Sequence, residues 1–110
     1  MYSKELLKGT LKPIILRLLE ENGRMYGYEI AQKVKALSGE KILIKEGSLY
    51  PSLHSLLQDG LLESESVQIG RRTRKYYSLS KAGQAKVPQM VQEVQDFMAS
   101  LKLVLKLDTI

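Results

Sequence analysis

At 110 residues, 44 % of them hydrophobic and 26 % charged, the chain is one globular domain's worth of sequence with room for an appended helix. The absence of cysteine and the single histidine, His54, exclude a disulfide framework, a thiolate nucleophile and the usual Cys/His zinc sites. The net charge of +5 is concentrated: residues 1–67 balance to zero, residues 77–110 add +1, and residues 68–76 hold Arg71, Arg72, Arg74 and Lys75 with no acid. A surplus gathered in one short stretch points to an anionic partner rather than to a general need for solubility. Apolar runs such as residues 14–16 fall far short of the ~20 residues that span a bilayer, and no charged start with an apolar core marks a signal peptide. The expectation is a cytoplasmic, single-domain, non-secreted protein with no membrane association.

Leu7, Leu11, Ile14, Ile15, Leu18 and Leu19 recur at helical spacing and predict a first helix to about Glu21. Pro13 is costly deep inside a helix, so the regular part begins near Thr10, and Asn22 with Gly23 supplies the stop. Tyr26, Ile30, Val34 and Leu37 repeat the pattern in a second helix that ends at Ser38 and Gly39. Residues 42–44 are apolar but too few for a helix and read as a small strand. A third helix is expected from about Glu46 to Gln58, with Leu49, Leu53, Leu56 and Leu57 on its inner face and Asp59-Gly60 as its stop. From Leu61 the period becomes two, as in a half-exposed strand. Residues 70–73 read as a turn or longer loop and residues 75–79 as the returning strand. Ser80 then caps a last helix to about Leu107. This order describes a mainly α fold with a small β-hairpin wing, a winged helix-turn-helix followed by a C-terminal helix.

A helix that reads DNA shows small or polar side chains opposite its core stripe, so that base edges approach closely. The face opposite the leucines of the third helix carries Gly47, Ser48, Pro51, His54, Ser55 and Gln58, with Tyr50 at its flank. That face also suits an ordinary solvated helix, although an interior proline gives up a backbone hydrogen bond for which a plain solvent face offers little return. Arg71, Arg72, Arg74 and Lys75 fit a wing that reaches phosphates or a minor groove, and equally a charged hairpin tip that protects an edge. Tyr28, Gln32 and Lys35 share one face of the second helix, where Tyr28 either donates to a phosphate or packs as a half-buried ring.

Several runs in order, Met-Tyr-Gly-Tyr-Glu-Ile at 25–30, Glu-Gly-Ser-Leu-Tyr-Pro-Ser-Leu-His at 46–54, Asp-Gly-Leu at 59–61, Gly-Arg-Arg at 70–72 and Lys-Tyr-Tyr-Ser-Leu-Ser-Lys-Ala-Gly at 75–83, resemble the PadR family of bacterial and archaeal winged-helix transcriptional regulators. The resemblance spans about residues 6–83. It implies a homodimeric repressor that binds an inverted-repeat operator in double-stranded DNA, of the short type with one C-terminal helix. It also implies that the third helix enters the major groove from Ser48 and that the wing follows the backbone or minor groove. The chain departs from the family in Pro88 within the last helix and in lacking a tryptophan, where some members use an aromatic residue to stack planar ligands.

In the last helix Val87, Val91, Val94, Met98, Leu101 and Leu105 are spaced 4-3-4-3-4, a heptad seam that suits a dimer interface and also suits packing within the chain. A two-fold dimer places two reading heads ~34–36 Å apart, one turn of DNA. Residues 1–79 are therefore expected to form the DNA-binding domain and residues 80–110 the C-terminal dimerisation helix. Met90, Val94, Phe97 and Met98 are candidate contacts for a small apolar or aromatic effector between dimer helices, the alternative being a dry interface. Pro88 should kink this helix or restart it near Val87. No catalytic constellation, cofactor loop or metal set can be assembled around one histidine, so an enzyme is not expected. The competing reading is a winged-helix module whose wing binds an acidic protein instead of DNA.

Overall fold

A computed structural model describes residues 2–107. The elements in chain order are α1 (Lys4–Lys8), α2 (Leu11–Asn22), β1 (Met25–Tyr26), α3 (Gly27–Leu37), α4 (Glu46–Gln58), β2 (Leu62–Ile69), β3 (Arg72–Leu79) and α5 (Lys81–Leu105). The fold class is as expected: mainly helical, with an antiparallel sheet of order β1-β3-β2 whose outer hairpin is the wing.

The first helical pattern is broken in two. Ser3 caps α1 by accepting from the Leu6 N–H, Gly9 closes it, and α2 restarts after Thr10. Pro13 then falls in the first turn of α2, where its missing N–H would have no intrahelical partner in any case. Ile15 and Leu16 are fully buried and Leu11, Leu18 and Leu19 nearly so, which makes α2 the central post of the core. Leu49, Leu53 and Leu56 of α4, Ile30 and Val34 of α3, and Met25, Leu62 and Tyr77 of the sheet close around it. Burial of each such aliphatic side chain contributes roughly 1.5–3 kcal/mol.

Two expectations about strands are corrected. Residues 42–44 form no strand; Ile42 and Ile44 instead pack as loop residues against the core, and the Ile42 N–H donates to Ser38 Oγ at 2.9 Å. A strand needs a free edge to pair with, and the available edge of β3 is taken by Met25 and Tyr26, opposite Tyr77 and Tyr76. The wing is also tighter than the expected loop. Ile69 pairs with Arg72, so only Gly70 and Arg71 turn the chain. Gly70 alone of the two has positive φ, the arrangement of a II′ hairpin. Gln68 fastens the tip, donating to the Gly70 carbonyl and accepting from the Thr73 hydroxyl, each at 3.0 Å.

Ser80 caps α5 as expected: its Oγ accepts from Gly83 N–H and donates to Gly60 carbonyl oxygen. The helix is continuous through Pro88, which lies on its exposed side, so no restart occurs near Val87, and it ends at Leu105 rather than Leu107. Val87 is 1 % exposed and belongs to the chain's own core. The start of α5 is thus pinned on α2 while its later turns extend past the body, giving a molecule 53 Å in its longest dimension.

Candidate nucleic-acid interface

Burial of Leu49, Leu53 and Leu56 fixes the rotation of α4 and leaves Gly47, Tyr50, Pro51, His54 and Gln58 exposed along its opposite side. Pro51 stands on that stripe, so the backbone hydrogen bond it forgoes is on the solvent side of the helix. Ser48 and Ser55 occupy a flank. Ser55 Oγ accepts from Lys12 Nζ of α2 at 2.8 Å, and Ser48 lines a cavity of about 640 Å³ between α1, the 43–45 loop and the first turns of α4. Lys4, Lys8 and Lys45 rim the same cavity with no acid among its walls. These cations balance on paper against acids elsewhere in residues 1–67, so a charge count along the chain conceals them.

Tyr28 is 64 % exposed in the first turn of α3, which excludes the packed, half-buried ring. The turn is held by Glu29, whose carboxylate accepts from the Tyr26 N–H at 3.1 Å. Tyr50 bridges to the same turn, its phenol lying over Gly27. The structure therefore gathers Tyr28 and the Tyr50, Pro51 and His54 stripe on neighbouring helices.

The four wing cations are not equivalent. Strand alternation places Arg72 and Arg74 on one face of β3 and Lys75 on the other, with Arg71 in the turn. Arg71, Arg72 and Lys75 are exposed, whereas the Arg74 guanidinium lies 4.0 Å over the ring of Tyr26. The pKa of Arg74 is raised, chiefly by a side-chain interaction with Tyr76 and against a smaller opposing effect of desolvation.

On α5 the heptad seam divides. Val87 is in the core and offers nothing to a partner, and Val91 and Val94 are half-buried beside a groove of about 460 Å³ between α2, the end of α3 and α5. Met98, Leu101 and Leu105 are exposed, with Phe97 (61 %), Leu103 (81 %) and Val104 around them. Of the four candidate effector residues, Val94 alone lines the groove; Met90 packs against the core, and Phe97 and Met98 face solvent. Among the described residues no helix is long and apolar enough to cross a membrane, and no group of His, Cys, Asp and Glu could hold a metal ion.

An exposed helix face of small and polar residues, set beside a cationic two-stranded wing, defines a winged helix-turn-helix protein. The family described as transcriptional regulator PadR-like matches residues 15–89. Transcriptional regulator Rv3488 of Mycobacterium tuberculosis is 33 % identical over 82 residues, 74 % of this chain and 73 % of that protein. A transcriptional regulator from Clostridium thermocellum superposes with a TM-score of 0.78 at 28 % identity, covering 99 % of this chain and 100 % of that one. Bacillus subtilis PadR, solved in complex with operator DNA, gives a TM-score of 0.65 at 28 % identity over 74 % of this chain and 46 % of its own. The chain belongs to the PadR-like family and is a transcriptional regulator, not an enzyme.

Proposed function

We propose that this chain is a homodimeric, cytoplasmic repressor that binds an inverted-repeat operator and releases it when a small apolar or aromatic effector binds. The observation that carries the DNA reading is the alignment of Tyr28, Tyr50, Pro51 and His54 on adjoining helices, next to a wing with three exposed cations. Ser48 and Ser55 support that face from its flank, the Ser55 hydroxyl accepting from Lys12 Nζ and Ser48 standing at the wall of the lysine-rimmed cavity. Residues 1–79 carry the DNA contacts. Residues 80–110 carry dimerisation, through Val91, Val94, Met98, Leu101 and Leu105, since so many exposed apolar side chains on the free turns of α5 call for a cover. Phe97 and Met98 stand where a planar or apolar effector would lie between two such helices, and a change in their angle would move the two reading heads out of step with the DNA.

The test is a fluorescence-anisotropy titration with DNA from the gene's own promoter region at several salt concentrations, beside the Arg71→Ala/Arg72→Ala double variant. Tight, salt-dependent binding to a short inverted repeat, weakened in the variant, is expected. Binding no tighter than to random DNA, with a genome-wide selection of bound fragments also empty, would overturn the reading and return the wing to an acidic protein partner.

A further inference from the structure

The outer face of the sheet carries a run of stacked side chains that the contact reading leaves unused. Tyr76 is the register partner of both Tyr26 on β1 and Glu65 on β2, so the three stand in one row across the sheet. The two tyrosine rings meet edge to face at 5.5 Å. Arg24 lies 4.5 Å over the Tyr76 ring and pairs with Glu65, while Arg74 lies 4.0 Å over Tyr26. From one side to the other the order is carboxylate, guanidinium, ring, ring, guanidinium, each beside a group it attracts.

The position of Arg74 gives this row a use. β1 pairs only with Tyr76 and Tyr77, so beyond them the wing is a two-stranded ribbon with no third strand beside it. Such ribbons are marginally stable and twist readily. Arg74 is the wing residue that reaches back to β1, and it stops on Tyr26, the N-cap of α3, whose own N–H is held by Glu29. The free ribbon is therefore tied at one point to the start of a helix that itself faces the DNA.

We propose that Arg74 is a positioning residue and not a phosphate contact: its stack on Tyr26 sets the angle of the wing against α3, and so the register in which Arg71, Arg72 and Lys75 meet the backbone while α4 reads bases. This rests on the DNA-binding reading above. A cation spent on a phosphate releases counterions, so its removal lowers the log–log salt slope by about 0.9 per contact. A brace has no such signature. Without it the other three cations still reach phosphates, but the loosened wing must be ordered on binding, so operator affinity falls while the slope stays. Lysine replaces the charge but not the planar stack.

The experiment compares Arg74→Ala, Arg74→Lys and Arg71→Ala with the wild type in salt-series titrations on operator and random duplexes. Thermal unfolding is run beside them, and ¹⁵N relaxation of the wing amides is measured without DNA. Arg74→Ala should lose about tenfold in operator affinity, the scale of one cation–π contact per protomer in a dimer, with an unchanged salt slope and lower order parameters for residues 67–74. Arg74→Lys should recover little of that affinity, and Arg71→Ala should lower the slope while leaving the wing ordered. A lowered slope in Arg74→Ala with rescue by lysine would make Arg74 a phosphate ligand. Unchanged wing order or unchanged operator affinity would show that the brace positions nothing, and either result overturns the proposal while the operator reading stands. If the wild type itself prefers no operator and Arg71→Ala leaves the slope unmoved, the DNA reading fails and this role fails with it.

Discussion

The phenol of Tyr50 lies so close over Gly27 that a β-carbon built on the glycine would come 2.5 Å from the Tyr50 hydroxyl oxygen and 2.9 Å from the ring carbon that bears it. Gly27 opens α3 and Tyr50 is an exposed residue of α4, so this contact sets how the two helices pack against each other. Gly27→Ala should expel the ring rather than unfold the chain, because Tyr50 is at the solvent edge and has room to swing outward. Stability should fall by less than about 1.5 kcal/mol, while operator affinity falls several-fold. In a Tyr50→Ala background the same substitution should cost nothing further, which a double-mutant cycle on DNA affinity measures. An additive cycle would mean that Tyr50 is not steered by Gly27.

Gly83 meets a harder neighbour. A β-carbon there would run into the carbonyl oxygen of Leu61, which is backbone already engaged by the Ser80 N–H at 3.1 Å. Neither group can swing aside, since Ser80 also caps α5 and donates to Gly60. Gly83→Ala should therefore destabilise the fold by about 1–3 kcal/mol, as overpacking does, and Ser80→Ala by about 1 kcal/mol through the lost cap. Urea unfolding of the two variants checks both values. A Gly83→Ala protein as stable as the wild type would show that α5 docks on the 60–61 turn with slack.

The bounds of α4, the cap at Ser80 and the inner faces of the helices were legible because period, stop residues and capping hydroxyls are local signals. The third strand was not. Met25 and Tyr26 sit at the head of a helical apolar pattern, whereas residues 42–44 look more strand-like by composition. Which of them pairs with β3 depends on which segment the fold brings to its edge, and no local pattern carries that. The division of the wing cations was half legible. A returning strand begun at Arg72 would have put Arg74 in phase with Tyr76 and out of phase with Lys75; its stack on Tyr26, some fifty residues earlier in the chain, was beyond any local reading. The exposure of Tyr28 removes the packed-ring alternative, in keeping with its place beside Gln32 and Lys35 on the face of α3 away from Ile30 and Val34.

Tyr77 supplies a pH dependence whose sign follows from its burial. The ring is 5 % exposed, and desolvation, with a smaller contribution from Tyr50, raises its pKa above the ordinary tyrosine value of 10.0. Below that value the phenol is neutral in both folded and unfolded chains and its full contribution to stability is present. As pH climbs past the ordinary value, the unfolded chain releases this proton first, so stability is lost until the folded phenol also ionises. Urea midpoints for the wild type should fall more steeply above pH 10 than those of Tyr77→Phe, the two curves running parallel at neutral pH. Equal alkaline slopes would show that Tyr77 ionises in the folded chain as readily as in the unfolded one.

Val87 and Met98 both lie on the heptad seam of α5, yet the first is sealed in the core and the second is more than half exposed. Substitutions at the two sites should thus separate folding from association. Val87→Ala removes two methyl groups from a closed site and should cost about 1–3 kcal/mol of stability, with the oligomeric state unchanged. Met98→Glu combined with Leu101→Glu changes only exposed positions, so the fold should persist with a melting temperature near that of the wild type. In sedimentation equilibrium the wild type should be a dimer and that double variant a monomer, because two charges would enter each side of an apolar contact with no partner to pair them. On DNA it should bind a full inverted repeat no more tightly than a single half-site, while the salt slope per half-site stays that of the wild type. Retained dimerisation in the double variant would move the interface off the exposed turns of α5, and a monomeric wild type would remove the two-fold spacing on which the operator model depends.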